Sequence, residues 1–293
     1  MASNQDRAAA GHVLTERLGR LAVLDKPAKA AGKKLRSLYK PGLAREALSG
    51  AWLGHSLHPL LTDVVIGTWT SALFLDLTGS DGDGAERLIA AGLAAYPPTA
   101  ASGGLDWADS EAADDGIRRI GAVHFGANLT AFGLQAASLR ARRRGEHGRG
   151  VALSLAGAGA LTLGGYLGAH LSYARGVGVN QTAFDEGPAD WTAALDASDL
   201  RDGVPARGEA GETPVLIVRR DGRLAAIHDR CSHRGCSLAD GELDGDVIEC
   251  GCHGSRFRLS DGGIERGPAS SPQPAFDTRE REGKIDVRLR PLR

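Results

Sequence analysis

Four stretches of this chain lack the charged face that a soluble helix normally shows. Residues 47–75 carry one charge, Asp63, and residues 88–105, 121–139 and 150–174 carry none, counting histidine as neutral. Each approaches or exceeds the roughly 18–20 residues that cross a bilayer. Val151 to Tyr173 is the strongest candidate, and 88–105 the weakest, because Tyr96-Pro97-Pro98 and Gly103-Gly104 interrupt it. Trp52, Trp107 and Tyr173 stand near run ends, where interfacial aromatics belong. Gly and Ala dominate 156–160, and Gly164 and Gly168 follow four apart, a spacing that lets helix backbones approach closely. An all-α membrane bundle of about four spans is expected over 47–176. A soluble Ala-rich bundle is the alternative.

The rest of the chain has a different character. At 293 residues it has room for two domains. Net charge of −1 argues against a nucleic-acid partner, and 24% charged residues argue against global disorder. Residues 1–46 form a basic polar tail, with ten Lys/Arg against four Asp/Glu and no secretory apolar region. Leu18–Leu24 fits either a basic amphipathic helix on a membrane surface or a solvated segment. Residues 177–188 read as a linker. Beyond it, Val215–Val218, Leu224–Ile227, Val247-Ile248 and Ile285–Val287 alternate with Asp221-Gly222, Asp261-Gly262 and Glu282-Gly283. Short strands and Gly-containing turns predict a small all-β antiparallel domain over 189–293.

All four cysteines lie between 231 and 252, which marks a site and not a disulfide framework spread over a fold. Cys231-Ser-His233 and Cys250-Gly-Cys252-His253 give C-x-H and C-x-x-H elements, each able to grip metal from a loop. A Cys2His2 set serves a structural zinc or a [2Fe–2S] cluster with two histidines replacing two cysteines on one iron.

These segments resemble the two cluster loops of Rieske iron–sulfur proteins, and the resemblance covers roughly 189–293, with Gly267-Pro268-Ala269 matching the family's proline loop. It implies thiolates from Cys231 and Cys250 on one iron, imidazoles from His233 and His253 on the other, and a Cys236–Cys252 disulfide between the loops. Two ferric ions, two sulfides and two thiolates sum to zero charge, so histidine ligation eases reduction and raises the potential. In the high-potential members a Ser and a Tyr of the second loop donate to cluster sulfurs. Ser255 matches the first, but Phe257 stands in the second position. His228, His12 and His147 read as surface or packing histidines.

His55, His58, His124 and His170 fall inside the apolar runs. A histidine within a span is a candidate for function, against a packing role near the interface. On one helix His55, His58 and Asp63 fall within an arc of about 140°. In an up-down bundle all four histidines would gather on one side and could bind haem, a metal or a quinone head group. Residues 47–177 also resemble an uncharacterised four-helix membrane domain often fused to Rieske domains, matched at Gly54–Pro59 and Gly168–Tyr173, which implies no activity. Counting Lys and Arg from residue 27 gives nine on the side of the termini and six on the other, which leans to cytoplasmic termini. The disulfide would favour an oxidising exterior.

The expected function is a multi-pass, membrane-bound electron carrier that passes single electrons between a quinol or a redox protein and an acceptor. The alternatives are the electron-entry component of an oxygenase system and a redox sensor. Nothing downstream supplies an oxygenase's mononuclear iron site, because His253 is the last histidine.

Overall fold

The structure is a computed structural model that describes residues 10–40, 42–79 and 83–291. It divides into two compact units. One comprises 1–40 and 57–177, and the other comprises 41–56 and 178–293. Where the sequence suggests a helical domain opening at 47, the segment 41–56 groups with the β unit.

The helical unit contains α1 (Ala10–Gly19), α2 (Asp25–Leu38), α4 (Leu57–Leu77), α5 (Gly84–Ala108), α6 (Asp115–Arg142) and α7 (His147–Ala169). Among the described residues, only α4 and the helix running from His147 to Ala174 are both long and apolar enough to pass as membrane spans by composition. The expected interruption at Pro97-Pro98 does not occur, since α5 runs through both prolines. Tyr96 stacks between Trp69, 6.2 Å away, and Phe132, 4.7 Å away, so packing holds the segment where local propensity would break it.

One stripe of α6 carries His124, Asn128, Gln135, Ser138 and Arg142 at helical spacing, and small residues of α7 receive it. His124 Nδ1 bonds to Gly164 O at 2.8 Å. Ser154 Oγ donates to Gln135 Oε1 at 3.1 Å, and Ser138 Oγ donates to Gly150 O at 2.7 Å. A Cβ on Gly164 would come within 2.5 Å of Asn128 Oδ1, so a larger residue there would force the helices apart. The seam ends at Arg142, whose guanidinium grips Asp76 of α4 through two bonds of 2.8 and 2.5 Å. Both partners are buried, and removing one from such a pair costs roughly 3–5 kcal/mol.

The N-terminal segment is not a free tail between residues 10 and 40. Arg119 holds Asp25 with two bonds of 2.8 Å, and Arg36 donates to Glu111 at 2.6 Å and to Ala108 O at 2.8 Å. Leu18–Leu24 is also not one helix: α1 ends at Gly19 and Ala22–Leu24 makes a single 3-10 turn.

The β unit has two antiparallel sheets. Strands β1 (Thr192–Asp196), β2 (Ala206–Ala210), β3 (Thr213–Arg220), β4 (Arg223–His228), β9 (Ala275–Arg281) and β10 (Lys284–Leu289) form a six-stranded sheet in the order β1-β10-β9-β4-β3-β2. Strands β5 (Glu242–Asp244), β6 (Val247–Glu249), β7 (Arg256–Arg258) and β8 (Ile264–Arg266) form the second, in sequence order. The unbroken apolar run Val215–Val218 is buried on both faces of β3. Val215 and Ile217 join Ala226, Phe276, Ile285 and Val287 in one core. Leu216 and Val218 join Ile227, Ile248, Phe257, Cys231 and Cys250 in the other. Each such side chain contributes roughly 1.5–3 kcal/mol of burial. The segment 42–56 adds the short helix α3 (Leu43–Ser49) and a 3-10 turn at Ala51–Leu53.

His228 ends β4 fully buried. Its Nδ1 accepts from Arg230 N at 3.0 Å and its Nε2 faces Asp185 Oδ2 at 3.2 Å, the pattern of a neutral ring donating from Nε2. Burial pushes its pKa below the usual histidine value, against the pull of Asp185. A depressed folded pKa means that the unfolded chain takes up the proton first, so this stability is full at neutral pH and declines as pH falls below about 6.5. The stability advantage of the wild type over His228→Gln should therefore shrink between pH 7.5 and 5.5, as read from melting temperatures in detergent.

Candidate metal centre

Two loops between strands of the β unit share one backbone plan. In the first, Cys231 N donates to Cys236 O and Gly235 N donates to Cys231 O, both at 2.8 Å. In the second, Cys250 N donates to Ser255 O at 2.8 Å and Gly254 N to Cys250 O at 2.9 Å. Gly235 and Gly254 have φ of 78° and 77°, a left-handed conformation that costs glycine least. Each loop thus turns tightly enough to return the chain beneath its own cysteine. Asp229, buried before the first loop, accepts from Ser237 Oγ at 2.8 Å and from Ala239 N at 2.7 Å, which fixes the loop's exit. The third segment, 267–273, is bonded to both loops. Ala269 N donates to Ser255 Oγ at 3.0 Å, and Ser232 Oγ donates to Ser271 O at 2.7 Å.

The two loops bring like donors together. Cys231 and Cys250 are free and buried, and they pack in one core. The neighbouring Cys231 thiol, with backbone N–H groups of Cys252 and His253, draws the Cys250 thiol down to about 6, and the neighbouring Cys250 pushes Cys231 up. Two buried thiols on facing loops are suited to a cationic centre. His233 and His253 meet edge to face with ring centroids 5.0 Å apart. The His233 Nδ1 is shut off from solvent, and burial, with His253, Arg234 and Arg45 nearby, holds the ring neutral. Two thiols and two imidazoles on facing loops form a donor set that mixed Cys/His ligation of a [2Fe–2S] cluster or a tetrahedral zinc ion can use. Cys236 and Cys252 form a disulfide that joins the loops, and Cys250 Sγ lies within 4.8 Å of both its sulfurs. Ser255 is buried, and its Oγ accepts from Ala269 N, which leaves the hydroxyl hydrogen to point elsewhere. Phe257 is fully buried in the same core as the two thiols.

Of the four helical-run histidines, His58 and His124 lie within electrostatic reach of each other, while His55 and His170 have other neighbours. His55 precedes α4, which starts at Leu57, so it shares no helical arc with His58 and Asp63; its Nδ1 meets Ser56 O at 3.1 Å. His58 Nδ1 bonds to Thr99 O at 3.0 Å, and His124 bonds to Gly164 O. His170 lies in the electrostatic field of His12, Glu16 and Arg175. Backbone carbonyls hold His58 and His124 as packing groups, and nothing in this geometry supports haem or quinone.

Sequence reasoning passed over Asp229, Gly235 and Gly254. A glycine four residues after each proposed ligand cysteine was the available signal for the last two.

Fold and site together define an iron–sulfur electron-transfer domain joined to a helical one. Residues 190–277 match the Rieske [2Fe-2S] domain, and residues 54–181 match the family described as predicted membrane protein (DUF2231). Ferredoxin CarAc of Metapseudomonas resinovorans is 35% identical over 98 residues, covering 33% of this chain and 92% of the ferredoxin. The ferredoxin component of biphenyl 2,3-dioxygenase from Rhodococcus jostii (strain RHA1) is 34% identical over 85 residues, covering 29% and 79%. A solved complex of reduced oxygenase and oxidized ferredoxin in carbazole 1,9a-dioxygenase matches at 32% identity and a TM-score of 0.33, covering 36% of this chain and 99% of that one. The chain belongs to the Rieske [2Fe-2S] family through its C-terminal domain, which is fused to a DUF2231 helical domain.

By the resemblance to high-potential Rieske proteins, a tyrosine at 257 is expected to donate a hydrogen bond to sulfur that Phe257 cannot make. A donor near sulfur favours the more negative state. Phe257→Tyr should raise the reduction potential by on the order of 50 mV, under one decade for a one-electron couple. Ser255→Ala should lower it, and voltammetry of the full chain checks both.

Proposed function

We propose that this chain is a membrane-bound Rieske electron carrier. Cys231 and Cys250 would hold one iron of a [2Fe–2S] cluster, and His233 and His253 the other. The observation that carries this reading is the segregation of the four donors into a buried sulfur pair and an imidazole pair on two loops of one plan. The cluster supplies a single-electron couple. The protein's part is to desolvate the thiolates, hold the His233 imidazole neutral and lock the loops through Cys236–Cys252. The ferredoxin relatives support an oxygenase-type redox partner as one end of the transfer. A quinol at the other end is the counterpart that a membrane domain supports.

Four spans, α4 to α7, are part of the proposal. Lengths of 21, 25, 28 and 23 residues suffice to cross hydrocarbon. Glycines against the polar side chains of α6 give the close interhelical packing that membranes favour. An even number of spans puts both termini on one side, and the arginine and lysine distribution leans to the cytoplasm.

The full chain purified in detergent should hold two irons and two acid-labile sulfides, with the low average g value of mixed Cys/His ligation after reduction. Cys231→Ser and His253→Ala should each abolish that signal. Stoichiometric zinc in place of iron would overturn the assignment. Reporters inserted at Arg144 and fused after Arg293 should fall on opposite sides of the membrane. The same side for both would exclude four spans.

A further inference from the structure

Helix α3 buries two polar side chains, Arg45 and Ser49, four residues apart and therefore on one face. That face lies on the third loop of the metal centre. Ser49 Oγ stands 3.1 Å, and Ala51 Cβ 2.8 Å, from where a Cβ on Gly267 would be. Two residues on, Ala269 N is bonded to Ser255 of the second cysteine loop. Arg45 is 7% exposed, and its charge reaches the imidazole of His233. Ser49 Oγ donates to Glu46 O at 3.0 Å and Trp52 Nε1 donates to Ala47 O at 3.1 Å, so the segment is internally braced. The ferredoxin relatives align with only about a third of this chain, and residue 45 lies outside the matched Rieske domain at 190–277.

We propose that Arg45 is a positioning residue for the electron-transfer reaction: a fixed positive charge, carried to the histidine side of the Rieske centre by the segment 42–56, that raises its reduction potential. The proposal rests on the cluster assignment above. Reduction adds one negative charge to the centre, and a buried cation nearby favours that state more than a solvated one would, because little water screens it.

The test is a spectroelectrochemical titration of the full chain in detergent, with iron content and the reduced EPR spectrum recorded for each variant. Arg45→Gln should shift the reduction equilibrium about tenfold toward the oxidised form, equivalent to ~59 mV for one electron. Arg45→Lys should recover most of that shift, since it keeps the charge and loses the planar shape. Ala51→Asp, which places a carboxylate against the Gly267 loop, should shift the equilibrium in the same direction as Arg45→Gln, and it decides the matter if Arg45→Gln fails to assemble a cluster. An intact cluster with an unmoved potential in Arg45→Gln, or in Ala51→Asp, overturns the proposal. So does an Arg45→Lys potential as low as that of Arg45→Gln, which would mean packing and not charge. Absence of iron from the unaltered chain would instead overturn the cluster assignment.

Discussion

Two sulfurs, Cys231 and Cys250, are buried against each other, and two thiolates cannot share such a place without positive charge between them. Much of the β unit is organised around that requirement. Leu216, Val218, Ile227, Ile248 and Phe257 wall the pair off from water. Gly235 and Gly254 let each loop close under its cysteine, and Asp229 and the 267–273 segment fix how the loops emerge from the sheets. The disulfide removes the freedom of the loops to separate. Remove the wall and the thiols become ordinary solvated groups; remove the loop geometry and the imidazoles no longer face each other.

The helical unit solves a different problem. Its long helices expose few charges, yet α6 carries a stripe of polar side chains that would be costly in lipid or in a dry core. Each member of the stripe finds a partner: His124 on Gly164, Gln135 on Ser154, Ser138 on Gly150 and Arg142 on Asp76. Gly150, Gly157 and Gly164 of α7 leave room for them. Polar contacts of this kind specify which helices pair and in which register, where uniform apolar faces would leave alternatives open. They also account for His124 and His58 without any bound group, since a backbone carbonyl already takes one nitrogen of each.

Chain connectivity gives the two units a shared element. The segment 42–56 leaves the helical unit after α2 and returns to it at α4, and in between it folds with the β unit. Thus the third loop of the metal centre is covered by residues that precede the first apolar helix. Arg45 and Ser49 are the polar side chains that this excursion buries.

Local sequence determined the parts whose physics is local. Charge-free runs specified long helices, because a run of that length exceeds an ordinary strand and matches the span of a bilayer-crossing helix. The C-x-H and C-x-x-H spacing specified two metal-grip loops, and the resemblance of their surroundings to Rieske loops carried the pairing of Cys236 with Cys252, which the structure contains. Short β runs with Gly turns specified the antiparallel domain. Tertiary structure decided what depends on partners distant in the chain. Pro97-Pro98 reads as a break, yet Tyr96 held between Trp69 and Phe132 keeps α5 continuous. Residues 10–40 read as a basic tail because the acids that bind them, Glu111 on Arg36 above all, lie far along the sequence. His55 and His58 look like one site three residues apart, but the helix begins between them, and each settles on a carbonyl near it. Nothing near Arg45 in sequence marks it for the metal centre, because the group its charge reaches there is His233, and only folding brings residues so separated into one electrostatic field.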